Sequence, residues 1–172
     1  MRYHRKTLIA ATAMLSLFAS NASAFDAGQY IKLTACHAEG TSSLAMCMTE
    51  QIGACSVAAQ EVGVEDSPWP ERACENLAFD QADEMLNEFY QLALQKTKIL
   101  EEGMTGSPYT GQEALLRESQ RAWLEVRDTT CELSVTYGAI DSGRDTAIAG
   151  CKARLTMQRI DDLQTEIGNY LE

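Results

Sequence analysis

From about residue 73 onward, apolar positions recur at intervals of three and four, the spacing of one face of an α-helix. Phe79, Asp83, Leu86, Asn87, Tyr90 and Leu94 share one face of a helix predicted over Ala73–Glu102, with Glu75, Gln81, Glu84, Glu88 and Gln91 turned away from it. Gly103 ends that helix, and 103–111, containing Gly106 and Pro108, reads as a loop. A second long helix is predicted over Glu113–Tyr137. Its inner stripe is Leu116, Gln120, Trp123, Arg127 and Ser134, with Leu115, Ala122, Val126 and Leu133 beside it. Arg117, Glu118, Arg121, Glu125, Asp128 and Glu132 cover the other side. Residues 138–143 form the next connection. In the last helix, predicted over Arg144–Tyr170, Ile148, Cys151, Leu155, Arg159 and Leu163 keep to one stripe.

Upstream the pattern weakens. Residues 26–36 predict a short helix and 39–43 a break, followed by a helix over Leu44–Val62 with Leu44, Met48, Ile52 and Cys55 at helical spacing. Gly63–Glu71, where Trp69 stands between Pro68 and Pro70, is a loop. No stretch alternates in the manner of a strand, and there is no internal repeat. The expected fold class is all-α: an antiparallel bundle of three long helices with two shorter N-terminal helices, stapled by disulfides.

The first 24 residues change the picture of where this bundle works. Arg2, His4, Arg5 and Lys6 precede an apolar run from Leu8 to Ala19, and Ala22-Ser23-Ala24 is a small-x-small cleavage site. This is the grammar of a secretory signal peptide, and the run is too short to span a bilayer. Residues 1–24 are therefore expected to be removed, leaving 25–172 as a single helical domain in the periplasm or outside the cell. Cleavage takes away three basic residues and no carboxylate, so a formal charge of −11 becomes 11 basic against 25 acidic side chains, or −14. Such a surface disfavours nucleic acid and anionic membranes and steers cationic partners inward.

All six cysteines lie beyond residue 24, as expected for a disulfide framework in an exported chain. No Cys-x-x-Cys occurs and His37 is the sole histidine after cleavage, so no metal or cofactor is expected. Cys47 and Cys55, eight apart on one helix, would stand about 12 Å from each other and cannot bond. Cys131 with Cys151 closes a helical hairpin. Among the other four, Cys55 with Cys74 would brace the Pro-containing loop and leave Cys36 with Cys47, a pairing of these four that the sequence itself leaves open.

The usual catalytic templates are missing, including a phosphate-binding glycine loop and His-Glu-x-x-His. An enzyme is not expected. What stands out instead is polar residues on apolar stripes: Asp83 and Asn87, Gln120 and Arg127, and Arg159. Facing one interior, they could satisfy one another and fix helix register, or line a pocket for a small ligand. The structural reading is the expected one.

Three motifs carry a resemblance. They are Asp83-x-x-Leu86-Asn87-x-x-Tyr90, then Gln120-Arg121-Ala122-Trp123-Leu124-x-x-Arg127-Asp128-x-x-Cys131, then Cys151-x-x-x-Leu155-Thr156-x-x-Arg159. Their order and spacing over residues 74–163 resemble the bacterial family typified by the N-terminal domain of the mycobacterial lysozyme inhibitor LprI. That resemblance implies a small exported helical protein and transfers no catalytic residue. The chain departs from the type member in lacking a lipid-attachment cysteine and in carrying Cys36, Cys47 and Cys55 outside the motifs. The functional expectation is a binding protein that inhibits a cationic lysozyme by occluding its cleft with a loop, with Trp69, Tyr109 and Asp141 as candidate contacts. An envelope assembly factor and a small-ligand module are the alternatives.

Overall fold

The computed structural model describes residues 25–39, 43–62, 71–103, 110–138 and 143–167. Five α-helices follow a single 3-10 turn at Ala27–Gln29: α1 (Leu33–Glu39), α2 (Leu44–Val62), α3 (Glu71–Gly103), α4 (Gln112–Gly138) and α5 (Arg144–Ile167). The described residues contain no strand. The expected leader falls on residues outside those described.

Side-chain pairs give the register of the three long helices. Arg72 of α3 lies near Asp145 of α5, and Met85 and Phe89 line one hollow with Ile160 and Gln164, so α3 and α5 run parallel. Helix α4 runs the opposite way. Going down it, Cys131 bonds to Cys151, Arg127 reaches Asp83 and Thr156, Arg159 reaches Gln120, and the Glu113 amide donates to Glu101. At the α3–α4 corner Gly111 takes φ +92, a left-handed conformation that a Cβ disfavours, and its carbonyl accepts the Leu115 amide.

Small residues allow α3 and α5 to pack closely. Ala78, Ala82 and Ala153 are fully buried beside Leu86, Met157 and Ile160. Helix α2 adds Met48, Cys55 and Ala59, and the N-terminal segment adds Ile31 and Leu33. Each large side chain fully withdrawn from water stabilises the fold by about 1.5–3 kcal/mol before its entropy cost. The start of α2 is doubly capped. Ser43 Oγ accepts the Met46 amide, and the Asp161 carboxylate on α5 accepts the Leu44 amide at 3.1 Å.

The three disulfides join Cys36 to Cys47, Cys55 to Cys74 and Cys131 to Cys151, with Cα separations of 5.7, 5.9 and 5.6 Å. They tie α1 to α2, α2 to α3 and α4 to α5.

Two expectations are corrected. The single helix expected over residues 26–36 is broken into the 3-10 turn and α1. Two side-chain amides hold the intervening backbone: Gln51 exchanges bonds with Lys32 (2.7 and 3.2 Å), and Gln81 accepts the Leu33 amide and donates to the Ile31 carbonyl (2.9 and 3.0 Å). These amides saturate backbone groups that a continuous helix would have used. Gln81 therefore faces a packed neighbour, where the helical pattern of α3 alone had turned it to solvent. The second correction concerns α4. Leu115, Ala122, Val126 and Leu133 are exposed rather than packed beside the inner stripe, because α4 sits at the edge of the bundle against α3 and α5.

Candidate functional site

The polar residues of the long helices converge on α4. Arg127, 7% exposed, lies on the inner stripe one turn below Trp123, where its guanidinium must be satisfied by the neighbouring helices. Its Nη1 donates to Asp83 Oδ1 at 2.9 Å and to Thr156 Oγ1 at 3.3 Å, while Nε donates to Asp128 at 3.0 Å. The guanidinium carbon stands 5.4 Å from the Phe79 ring centroid and 5.3 Å from that of Trp123. Two carboxylates and two aromatic faces thus surround one cation. Asn87 extends the set by donating to Asp83 at 3.3 Å.

A second cluster lies two turns away. Arg159 on α5 donates to Gln120 Oε1 at 3.3 Å and to Ser119 Oγ at 2.9 Å, and its guanidinium carbon is 5.7 Å from the Trp123 centroid. Trp123 is therefore the hinge between the two arginines. Burial pushes the Arg159 guanidinium below its ordinary value, against the opposing charge of Asp162. The five residues expected in one interior form these two clusters, with Asp83, Asn87 and Arg127 in one and Gln120 and Arg159 in the other, and Asn87 is exposed at the rim rather than inside because its place on α3 is not covered by another helix.

Three members were not legible in the chain. Lys152 donates its ammonium to Asp128 at 3.2 Å and lies 5.9 Å from the Phe79 centroid. Thr156, fully buried, accepts from Arg127. Asp128, placed by its helical angle on the outer side of α4, is bonded by both Arg127 and Lys152. The signal for Asp128 and Lys152 is three-dimensional: α5 passes close enough for Lys152 to fold back over the rim. Partial burial would raise the Asp128 pKa, but hydrogen bonds and charge from Arg127 and Lys152 outweigh it and hold the carboxyl below its ordinary value.

Chemically this arrangement is closed. Arg127 and Lys152 are matched in charge by Asp83 and Asp128, and Arg127 Nε and Nη1 donate to Asp128, Asp83 and Thr156. Its geometry suits holding three helices in register. Among the described residues no group of three or more His, Cys, Asp or Glu side chains is placed to hold a metal ion.

A shallow hollow of about 280 Å³ adjoins the second cluster, with Ser119, Arg159 and Leu115 in its lining, and larger concave surface lies elsewhere. An open groove of about 650 Å³ runs between the N-terminal segment and α3, with Ile31, Met85 and Gln81 in its wall and Lys32, Glu84 and Glu88 at its edge. It continues into a hollow of about 290 Å³ over Phe89, Leu92 and Ile160. No described helix is long and apolar enough to cross a membrane. Trp69, Tyr109 and Asp141, the expected partner contacts, lie outside the described residues.

Fold and site together define a disulfide-stapled, all-helical protein whose inward-facing arginines are paired across its long helices. A family model described as lysozyme inhibitor LprI matches residues 64–163, more than half of the chain, and the chain belongs to that family. It is also similar to an uncharacterized protein of Rhizobium meliloti (strain 1021), 34% identical over 93 residues that cover 53% of this chain and 67% of that protein. No solved structure matches. The matched region takes in α3, α4 and most of α5. Helices α1 and α2 stand outside it, joined to it by the Cys55–Cys74 bond.

Proposed function

We propose that residues 25–172, exported after removal of the leader, form one domain that binds a cationic lysozyme and blocks its substrate cleft. The family match over residues 64–163 is the observation that carries this reading. Two physical facts support it. The charge of −11, or −14 without the leader, draws a basic protein inward over several Debye-screened ångströms and speeds productive encounter. The satisfied state of the Arg127 cluster leaves binding to the surface rather than to the interior. The occluding element is one of the connecting segments, with Trp69, Tyr109 or Asp141 as its contact. An aromatic there supplies anchoring area, and Asp141 meets the basic rim of the enzyme.

The test is a turbidity assay of bacterial cell-wall lysis by a cationic lysozyme, with the purified 25–172 protein in micromolar excess. Slowed lysis supports the reading, and an unchanged rate removes it for that enzyme.

A further inference from the structure

The outer face of α4 carries a pattern that packing within the bundle does not use. Leu115, Ala122, Val126 and Leu133 fall within about 20° of a common line down the helix, and that line faces solvent. Leu115, Val126 and Leu133 are 57, 60 and 57% exposed. Scattered exposed leucines are ordinary on a protein surface. Here three large apolar side chains stand on one line that rises about 27 Å, with Ala122 and Val126 one turn apart and seven-residue steps to Leu115 and Leu133, an aligned row that an extended partner surface can meet.

Charge beside the stripe is one-sided. Glu118, Glu125 and Glu132 repeat at intervals of seven along one flank, while no Lys or Arg of α4 lies within about 100° of the stripe's centre. Glu132 is paired with Arg144 of α5, so Glu118 and Glu125 carry most of the field. The opposite flank is Ser119 and Thr130, with Arg159 reaching Ser119 near the Leu115 end. A second copy of the chain is a poor occupant. Antiparallel self-pairing about residue 124 would set the glutamate rows of the two copies against each other, between molecules that are already strongly acidic. A cationic partner gains from the same rows.

We infer that the Leu115–Leu133 ridge of α4 is the docking face for a cationic protein, seated in an elongated cleft whose walls are apolar and whose rim is basic. The inference rests on the reading that a lysozyme cleft is blocked, and puts the α4 ridge in place of a connecting segment as the element that blocks it: a polysaccharide-cleaving enzyme has a cleft of this extended form, and a straight helical ridge is its convex complement. Apolar stripe supplies contact area and the glutamates supply orientation and encounter rate.

The experiment measures inhibition and direct binding of a cationic lysozyme by three forms of the 25–172 protein, each checked for a native thermal melt. Glu118→Lys/Glu125→Lys reverses the rim, Val126→Asp breaks the stripe, and Glu84→Lys/Glu88→Lys applies the same charge change to the α3 groove, a face α4 does not share. The ridge predicts that either α4 variant weakens binding by about tenfold or more while the α3 variant stays within about threefold of the parent. Because all these positions are exposed, the double charge reversal remains informative even where Val126→Asp melts early. Parent-like inhibition by the α4 variants overturns the ridge and leaves the lysozyme reading standing. Failure of the parent protein to bind overturns both.

Discussion

Arg127 is the residue around which the interior is arranged. It is held by two carboxylates, a buried hydroxyl and two aromatic rings, so its loss strands partners on three helices. Arg127→Leu removes the cation but leaves Asp83 and Asp128, which are 40 and 48% exposed and can be rehydrated. The expected cost is therefore about 2–3 kcal/mol by urea unfolding, below the ~3–5 kcal/mol typical when the stranded partner is fully buried. Arg127→Lys recovers only part of it, since an ammonium cannot serve Asp83, Asp128 and both rings at once. A pH effect accompanies this. The Asp128 carboxyl is depressed in the folded state, so its contribution is full above the unfolded value of about 3.9 and is lost as pH falls toward the folded pKa. Asp128→Asn should flatten the acid limb of the stability curve in that window, measured by urea midpoints from pH 6 down to pH 2. An unchanged limb would mean that Asp128 gains nothing from Arg127 and Lys152. Asp83, Gln120 and Arg127 were legible in the chain because a polar residue on an apolar stripe is conspicuous. Asp128, Lys152 and Gln81 were not, because a polar residue at a helix flank looks solvated until its neighbour is known.

At the scale of elements, α3 and α4 end at Gly103 and Gly138 and differ from the expected bounds by one or two residues, and α5 begins at Arg144 as expected, its expected end at Tyr170 lying outside the described residues. The N-terminal segment was less legible. Its geometry depends on Gln51 and Gln81, which are 19 and 48 or more residues away from the backbone they hold. Gln81→Ala should free the Ile31 and Leu33 backbone, seen as faster amide hydrogen exchange at Leu33 with little change in α4 or α5. Equal protection in parent and variant would show that the Cys36–Cys47 bond and packing alone hold the segment. The hairpin of α4 and α5 depends on Cys131–Cys151, which spans 20 residues. In the chain-entropy description a loop of that size contributes about 3 kcal/mol, so the double Cys→Ala variant should lose roughly that amount in chemical denaturation.

At the scale of the molecule, an apolar core and a paired Arg127 cluster are combined with a strongly acidic chain and with exposed apolar side chains on the edge helix. The all-α class followed from hydrophobic spacing, and the family from three motifs whose residues build the core of the fold. The exposure of Leu115, Val126 and Leu133 did not follow, because an edge helix and a central helix share the same one-dimensional pattern until the number of neighbours is known. Surface charge predicts how the partner is met: binding should weaken steadily as ionic strength rises from about 0.01 to 0.15 M, where the Debye length falls from about 30 to 8 Å. A complex insensitive to salt would contradict electrostatic recognition. The most direct measurement remains the rate of cell-wall lysis by a cationic lysozyme at low salt, with and without the 25–172 protein in micromolar excess. The account predicts dose-dependent slowing, and a lysis rate unchanged at saturating protein would contradict it.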